Sequence, residues 1–247
     1  MTKIHETVDD FATSWPKMYD KQSREIKAVR MIKTLSHFFG KRLLSKMSLL
    51  DVGASTGIID NILAQKVGQV TGIDVDKAAI AYAKKTFHKK NLRFTVGDAM
   101  KLQFKNNSFD ILICTHIYEH VPHPQVLFAE LYRVLKPGGV CYLAAMNSLW
   151  PIEPHYKLPF LAWLPRNIAD IYIKITNKAE RYYEVPLNYW QLQTLIKHQD
   201  FKINDYTAKI FTNPHQFGYG SLPLGKLVAP FMTYAAPTFF WMLTKHD

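Results

Sequence analysis

Short apolar runs alternate with amphipathic segments through the middle of the chain. The apolar runs predict β-strands at residues 48–53, 70–74, 92–96, 109–115 and 140–146, and the segments between them predict helices at residues 58–67, 77–87 and 124–135. Strands as apolar as these belong to a parallel sheet with helices packed on both faces. The alternation therefore predicts an α/β fold built on a doubly wound, mostly parallel sheet.

The N-terminal region predicts a helical lid. Residues 23–39 have the apolar spacing of an amphipathic helix, which ends at Gly40. A second apolar stripe precedes it and either closes over a pocket or packs on the sheet; its members are Phe11, Trp15, Met18 and Tyr19. We therefore expect residues 1–46 to form the lid and residues 47–247 to form one larger domain.

Two segments interrupt the alternation after the fifth strand. Residues 148–186 and 212–237 predict insertions at one edge of the sheet, where pockets form in this architecture. Between them, Asn188 and Gln191 predict a capping box that begins a last helix. Residues 201–210 then predict a sixth strand.

The bulk composition bears on location. Cys114 and Cys141 both lie inside apolar runs, away from any CxxC pair, which predicts reduced core residues in a reducing compartment. Residues 1–10 are polar and acidic, unlike a signal peptide. These features predict a cytoplasmic protein.

The formal net charge of +11 allows three kinds of partner. They are nucleic acid, an anionic membrane surface and an acidic small substrate. Residues 217–237 form a basic, aromatic flap without acids, for which contact with an anionic membrane is one interpretation. The uncharged run 227–243 is too short, and too rich in proline, to span a bilayer.

The strongest local signal is LLDVGASTG at residues 49–57, a strand that runs into a glycine-bearing turn and opens a helix. Glycine allows close backbone approach to a ligand, and a helix N-terminus offers free N–H groups. Asp74 ends the next strand, 21 residues after Gly53, where a carboxylate can accept both ribose hydroxyls of an adenosine ligand. A structural turn explains the glycines equally well when they are taken alone.

Three further motifs follow in order. GDA at residues 97–99 places a second acid, Asp98, after the third strand, with Met100 beside it to line an adenine ring. THIYEHVP at residues 115–122 follows the fourth strand, and LKPGG at residues 135–139 follows the next helix. In this order the motifs resemble the class I S-adenosylmethionine-dependent methyltransferases, particularly the small-molecule branch of ubiquinone and menaquinone biosynthesis. The resemblance is strong over residues 48–147.

The resemblance implies a Rossmann-like, seven-stranded sheet whose last strand, residues 238–244, is antiparallel. It also implies S-adenosylmethionine as cofactor and a residue set to bind it. The methionine part would be surrounded by Asp51, Gly53, Ala54, Ser55 and Gly57, the ribose by Asp74 and Val75, and the adenine by Asp98, Ala99 and Met100, with Thr115 behind the sulfonium. Ser55 departs from the family, which usually has glycine there.

A nicotinamide dinucleotide is the competing cofactor. Its fingerprint requires G-x-G-x-x-G, whereas positions 53, 55 and 58 are Gly, Ser and Ile. The glycine that lets the backbone approach a pyrophosphate is missing, which disfavours a dinucleotide.

A base is needed in methyl transfer only when the acceptor is a hydroxyl or an acidic carbon. His116 and His120 follow the fourth strand, near the expected methyl position, and are the first candidates. His155 and Tyr156 in the first insertion come second. In the alternative interpretations, His120 only fixes its loop and the first insertion is a rigid cover.

The residues 116–120 also resemble the cluster that holds magnesium in some quinone O-methyltransferases. Those enzymes have an acid where this chain has His116, and magnesium prefers oxygen ligands. We therefore predict no metal site.

Methyl transfer to a small-molecule or lipid-linked acceptor is the leading functional hypothesis. An RNA methyltransferase is the first alternative, favoured by charge but not by residues 115–118, which lack the Asn- or Asp-Pro-Pro-aromatic turn typical of enzymes that methylate base amino groups. A non-catalytic scaffold that binds the cofactor is the second alternative.

Overall fold

The computed structural model describes residues 16–40, 42–222 and 224–246. Phe11 and Trp15, two members of the predicted N-terminal stripe, lie outside this part of the chain. The described strands form one sheet: β1 (Ser48–Val52), β2 (Gln69–Asp74), β3 (Leu92–Val96), β4 (Phe109–Thr115), β5 (Leu135–Met146), β6 (Lys202–Asp205) and β7 (Thr238–Thr244).

The strand order is β3-β2-β1-β4-β5-β7-β6. Strands β1 to β5 pair in parallel, and β7 pairs antiparallel with both β5 and β6. The predicted seven-stranded, mostly parallel sheet with an antiparallel last strand is therefore confirmed. The chain order reverses between β1 and β4, and ligands bind at the carboxyl ends of the strands beside such a switch point.

The helices cover both faces of the sheet. They are α1 (Lys21–Phe39), α2 (Ile58–Leu63), α3 (Lys77–Thr86), α4 (Pro124–Val134), α5 (Arg166–Ile175), α6 (Tyr189–Lys197), α7 (Thr207–Thr212) and α8 (Gly225–Ala235). Alternate strand residues face opposite layers, so Leu49 packs in the layer of α1, α2 and α3, while Leu50 packs in that of α4 and α6. Both cysteines are free and fully buried in the second layer.

The capping box of α6 is present as predicted. The Asn188 side chain accepts a hydrogen bond from the Gln191 N–H, and the Gln191 side chain accepts one from the Asn188 N–H, both at 3.0 Å. These bonds satisfy two backbone donors that the helix itself leaves without partners.

The buried face of α1 agrees only in part with the apolar spacing that predicted the helix. Leu35 and Phe39 are buried as that spacing predicts, but Ile26 and Val29 are exposed, and the helix also buries Ala28, Met31 and Thr34. The reason is that only the C-terminal half of α1 packs fully on the core, while its N-terminal half lies along a cavity.

The predicted strand at residues 201–210 is wrong in its second half. Strand β6 ends at Asp205, whose carboxylate accepts a hydrogen bond of 2.7 Å from the Thr207 N–H. This bond turns the chain into α7, which begins at Thr207, so the buried apolar residue Ile210 belongs to a helix rather than to a strand.

Both predicted insertion segments meet the sheet at one edge. Segment 148–186 follows the end of β5 and segment 212–237 precedes β7, and Met146 pairs directly with Thr238. The first segment contains α5 and the second contains α8. Among the described helices, none combines the length and apolar character needed to cross a membrane.

Candidate active site

The turn after β1 depends on two glycines. Gly53 has φ +91° and Gly57 has φ +74°, conformations that disfavour residues with a Cβ. A Cβ on Gly57 would also lie 2.6 Å from the ring of Phe94. The Gly53 and Ala54 N–H groups donate to the Ile73 carbonyl at 2.9 and 2.8 Å, which fixes the turn against β2.

Ser55 occupies the centre of this turn in a left-handed conformation. Its φ is +52°, which is favourable for glycine and costly for serine. The Ser55 N–H donates to Asp74 Oδ2 at 2.8 Å. Its hydroxyl oxygen is buried and has no hydrogen-bond partner among the described residues. The predicted departure from the family therefore carries a backbone cost and leaves a buried polar atom without a partner among the described residues.

Asp74 and Asp98 lie at the carboxyl ends of neighbouring strands. Asp74 also accepts a hydrogen bond of 3.0 Å from the Asp76 N–H, and Asp98 accepts one of 2.8 Å from the Met100 N–H. Burial raises the pKa of Asp74, although the hydrogen bonds from Asp76 and Ser55 oppose the shift. Each carboxylate is held by its own turn with accessible surface left for a ligand.

A group of buried acids lies behind the turn. Asp51 and Asp60 are almost completely buried. Burial raises the pKa of Asp51 to about 7, against the opposing charge of Arg24. Burial and the neighbouring Asp51 charge also raise the pKa of Asp60. The positive charge of Arg24, on α1, favours the ionised form of both Asp51 and Asp60. One side chain of α1 therefore partly balances this acidic group.

The loop after β4 presents His116. This residue has φ +56°, and its N–H donates to the Ala144 carbonyl at 2.8 Å. His116 Nδ1 lies 3.1 Å from Glu119 Oε1, and Glu119 is buried. Burial alone would raise the pKa of Glu119, but the hydrogen bond and charge of His116, with the charge of His120, lower it. A carboxylate only accepts hydrogen bonds, so Nδ1 carries the proton and Nε2 is the basic nitrogen.

The first insertion adds a second histidine–glutamate pair beside this loop. His155 Nδ1 lies 2.9 Å from Glu153 Oε1, and the His155 and His120 rings are 5.1 Å apart. His120 Nδ1 lies 3.9 Å from Glu184 Oε1. Burial would lower the pKa of His155, but the hydrogen bond and charge of Glu153 raise it.

One set of side chains here could hold a metal ion. A donor atom from each of Glu119, His120 and His155 lies within 4.8 Å of the other two. The sequence resemblance pointed to His116 rather than His155, which comes from a distant segment. That no metal is needed remains a prediction.

Tyr156 is placed differently from the other candidates. Its hydroxyl lies 3.2 Å from Glu184 Oε1, and burial raises its pKa well above the usual range. Tyr156 does not line the cavity, in contrast to its neighbour His155.

A cavity of about 750 Å³ joins these features. Its size lies within the range of small-molecule sites. The predicted residues that line it are Asp51, Gly53, Ala54, Ser55, Asp74, Val75, Asp98, Ala99, Thr115, His116, His120 and His155. Gly57 and Met100 stand outside it: Gly57 lets α2 start close to Phe94, and the Met100 side chain packs on the core.

Comparison with known proteins agrees with this arrangement. A model of the family described as "Methyltransferase domain" matches residues 50–143. The demethylmenaquinone methyltransferase of Lactococcus lactis subsp. lactis (strain IL1403) is 30% identical over 197 residues, covering 74% of this chain and 75% of that protein. The chain belongs to the class I S-adenosylmethionine-dependent methyltransferases.

Two further comparisons, one with a relative and one with a solved structure, show how far the similarity extends along the chain. The demethylmenaquinone methyltransferase of Staphylococcus aureus (strain MRSA252) is 35% identical over 142 residues. That alignment covers 56% of this chain and 58% of the relative, so this chain spans less than two thirds of that protein. A methyltransferase whose structure was solved in complex with the Trm112 activator of Haloferax volcanii has a TM-score of 0.61. The superposition covers 99% of this chain and 98% of the solved chain. At 15% identity, that structure shows the fold alone.

The cofactor of this methyltransferase family is S-adenosylmethionine, and the cavity fits it. Ser55 and the acids Asp51, Asp74 and Asp98 all line one connected space. These groups supply the acceptors that an ammonium group, a ribose and an adenine amino group require.

Several lining residues of the methyltransferase were not singled out from its sequence. They are Lys17, Arg24, Lys27 and Arg30 before and along α1, and Tyr142, Tyr183, Tyr219 and Phe240 elsewhere. The only available signal was the recurrence of cations every third residue at 24, 27 and 30. Which side of the helix faces the cavity is decided by tertiary packing.

Proposed function

We propose that this chain transfers a methyl group to a small-molecule or lipid-linked acceptor. The observation that carries the proposal is the single cavity that runs from the strand-end acids to His116, His120 and His155. When bound there, S-adenosylmethionine supplies a methyl group activated by its positively charged sulfur. The protein then has to align an acceptor with that methyl and remove a proton where the acceptor chemistry requires it.

In this proposal the turn and the strand ends hold the cofactor. Asp51 accepts from its ammonium group, Asp74 from its ribose and Asp98 from its adenine. Gly53, Ala54, Ser55, Val75, Ala99 and Thr115 line the same space, and Gly57 supports the turn from behind.

His116 is the proposed base. It lines the cavity, its side chain is about one third exposed, and its bond to Glu119 orients the ring with Nε2 available. His120 also lines the cavity, whereas Tyr156 does not. We therefore place His120 with His155 in positioning the acceptor, and we assign Tyr156 to holding Glu184 in place.

Residues 16–40 and 42–46 form the described part of the proposed lid. The Thr56 hydroxyl donates to the Met18 carbonyl at 2.8 Å, and Met18 lines the cavity. This bond joins the segment before α1 directly to the cofactor turn. The lid and the insertions at 148–186 and 212–237 would together enclose the acceptor.

Exposed apolar helix faces support a lipid-linked acceptor drawn from a membrane surface. On α8, Leu227 and Phe231 are 75% and 66% exposed, and Tyr234 stacks on Trp190 with ring centroids 5.7 Å apart. On α5, Ile171 and Ile175 are 63% and 73% exposed. Both helices belong to the insertions that border the cavity edge of the sheet, and large exposed apolar patches mark interaction surfaces.

The first experiment is calorimetric titration with S-adenosylhomocysteine, since it needs no knowledge of the acceptor. We expect micromolar binding that Asp74→Ala weakens tenfold or more, about 1.4 kcal/mol. Glu180→Gln is the control, because Glu180 is exposed and pairs only with Lys174 at the surface. Absence of binding to the wild-type protein would contradict the proposal. If the protein binds the analogue, transfer of a radiolabelled methyl group to lipid, quinone and RNA pools is measured next. Transfer to RNA alone would show that the acceptor is RNA rather than a small or lipid-linked molecule.

A further inference from the structure

The N-terminal segment places a row of cations along the cavity. Lys17, Arg24, Lys27 and Arg30 all line it. On α1, the three-residue spacing from Arg24 to Arg30 keeps these side chains on one side of the helix. The cavity therefore has a cationic wall, defined here as Lys17, Arg24, Lys27 and Arg30.

The charge of this wall is balanced at only one end. Burial lowers the pKa of Arg24, but the charges of Asp51, Asp60 and Asp74 oppose this shift and favour its charged form. Lys27 has no hydrogen bond or ion pair within the described residues, and no carboxylate contributes to its titration. Its pKa is lowered by burial first and then by the charges of Arg24, Arg30 and Lys17. Among the described residues, the positive charge at the Lys27 end of the cavity therefore has no carboxylate to balance it.

Arg30 extends this positive end onto an aromatic surface. Its guanidinium lies 4.0 Å from the centre of the Tyr219 ring, and its Nε donates to the Gly218 carbonyl at 3.3 Å. Neither partner is anionic, so the charge of Arg30 is oriented but not neutralised. Tyr142 and Phe240 line the same part of the cavity as Tyr219. Cations beside aromatic rings suit a ligand with an anionic group on an apolar body.

We infer that the acceptor carries an anionic group, a carboxylate or a phosphate, which Lys27 and Arg30 bind beside Tyr219. This inference rests on the proposed function. An anionic group could also come from the cofactor, whose methionine part has a carboxylate. Arg24, close to the acids of the cofactor turn, serves that carboxylate, while Lys27 and Arg30 serve the acceptor.

The test uses phenyl phosphate as the probe and phenol as its neutral counterpart. Protein saturated with S-adenosylhomocysteine is titrated with each compound by calorimetry. We expect phenyl phosphate to bind at least tenfold more tightly than phenol, and we expect this preference to weaken with rising salt. Equal binding of the two probes would overturn the inference.

Two substitutions identify the cations. Lys27→Met and Arg30→Met should each reduce phenyl phosphate affinity about tenfold without changing phenol affinity. Lys21→Met is the control on the same helix, because Lys21 is exposed and pairs with Glu25 at the surface. Thermal unfolding of each variant confirms that it is folded, and Lys27→Gln and Arg30→Gln replace any variant that is not.

Titration of the variants with S-adenosylhomocysteine shows whether Lys27 binds the cofactor carboxylate or the anionic group of the acceptor. If Lys27→Met weakens binding of S-adenosylhomocysteine itself, the cation serves the cofactor carboxylate and the inference is overturned. If the wild-type protein binds no S-adenosylhomocysteine, the proposed function fails. In that case, titration of the free protein with phenyl phosphate and phenol decides the anion site separately, and tighter phenyl phosphate binding that depends on Lys27 supports it.

Discussion

Ser55 shows how one residue can bear a backbone cost inside a cofactor turn. Its positive φ is the reason that glycine suits this position, and its hydroxyl is buried without a partner among the described residues. The strain and the unsatisfied oxygen both lower the stability of the folded protein. The N–H bond to Asp74 keeps the turn in place all the same.

Replacement of Ser55 by glycine should therefore stabilise the protein. We expect Ser55→Gly to raise the free energy of unfolding by about 1 kcal/mol, which corresponds to an increase of roughly 2–4 °C in Tm for a chain of this size. Thermal unfolding without ligand measures it. Gly57→Ala is the opposing comparison and should lower Tm, because its Cβ would meet Phe94. A lower Tm for Ser55→Gly would show that the hydroxyl stabilises the turn.

The residues that the sequence predicted and those that it missed differ in how their positions are determined. Asp51 and Asp74 lie in the last two residues of their strands and Asp98 follows the next strand closely, so local spacing alone puts all three at the same sheet edge. His155 meets His120 only because the first insertion folds back over the loop after β4. Contacts of that kind depend on tertiary packing and have no local signature.

At the scale of elements, several strands could be predicted closely and the helix faces could not. Strands β3 and β4 have the predicted ends because apolar runs bounded by turns define them, and β7 has the ends that the family resemblance implied. Strand β5 begins at Leu135, before the predicted start at residue 140. Helix α1 has cations and apolar residues on more than one side, and packing against the core selects Met31 rather than Ile26. The same ambiguity led to the prediction of a strand at residues 207–210, which belong to α7.

Helix α8 should bind an anionic bilayer through its apolar face. Lys226 is exposed beside Leu227, and no acidic residue occurs between Asp205 and Asp247. We expect the wild-type protein to sediment with vesicles containing phosphatidylglycerol but not with phosphatidylcholine alone. The double substitution Leu227→Ser with Phe231→Ser should reduce the bound fraction several-fold.

The matched control for this experiment is Val126→Ser. Val126 is 43% exposed on α4, outside both insertions. Its substitution should leave vesicle binding unchanged. Sedimentation that does not depend on Leu227 and Phe231, or that fails for the wild-type protein, would remove the membrane part of the proposal.

For the whole molecule, the buried acids of the cofactor turn make stability depend on pH. Burial raises the pKa of Asp51 to about 7 in the folded protein, from a usual value of 3.8. The folded state then binds this proton more tightly than the unfolded state. Protonated Asp51 therefore contributes stability that is fully present below the usual pKa of 3.8 and is lost as the pH rises through the folded-state pKa of about 7.

The ligand-free protein should accordingly become less stable between pH 5 and pH 8. One such group contributes a slope of at most about 1.4 kcal/mol per pH unit. Asp51→Asn should reduce the slope and raise stability at pH 8, measured by chemical denaturation at each pH. His155 acts in the same direction because its pKa is also raised, so part of the slope should persist. An unchanged slope in Asp51→Asn would contradict the assignment of this pH dependence to Asp51.

The position of β7 has a consequence for biosynthesis. This strand follows β6 along the chain but lies between β5 and β6 in the sheet, and β6 pairs with no other strand. On the ribosome, β5 therefore keeps an open edge, and β6 has no neighbour, until β7 has emerged. Open strand edges invite pairing with other chains. A nascent chain stalled before β7 would depend on chaperones to remain unaggregated.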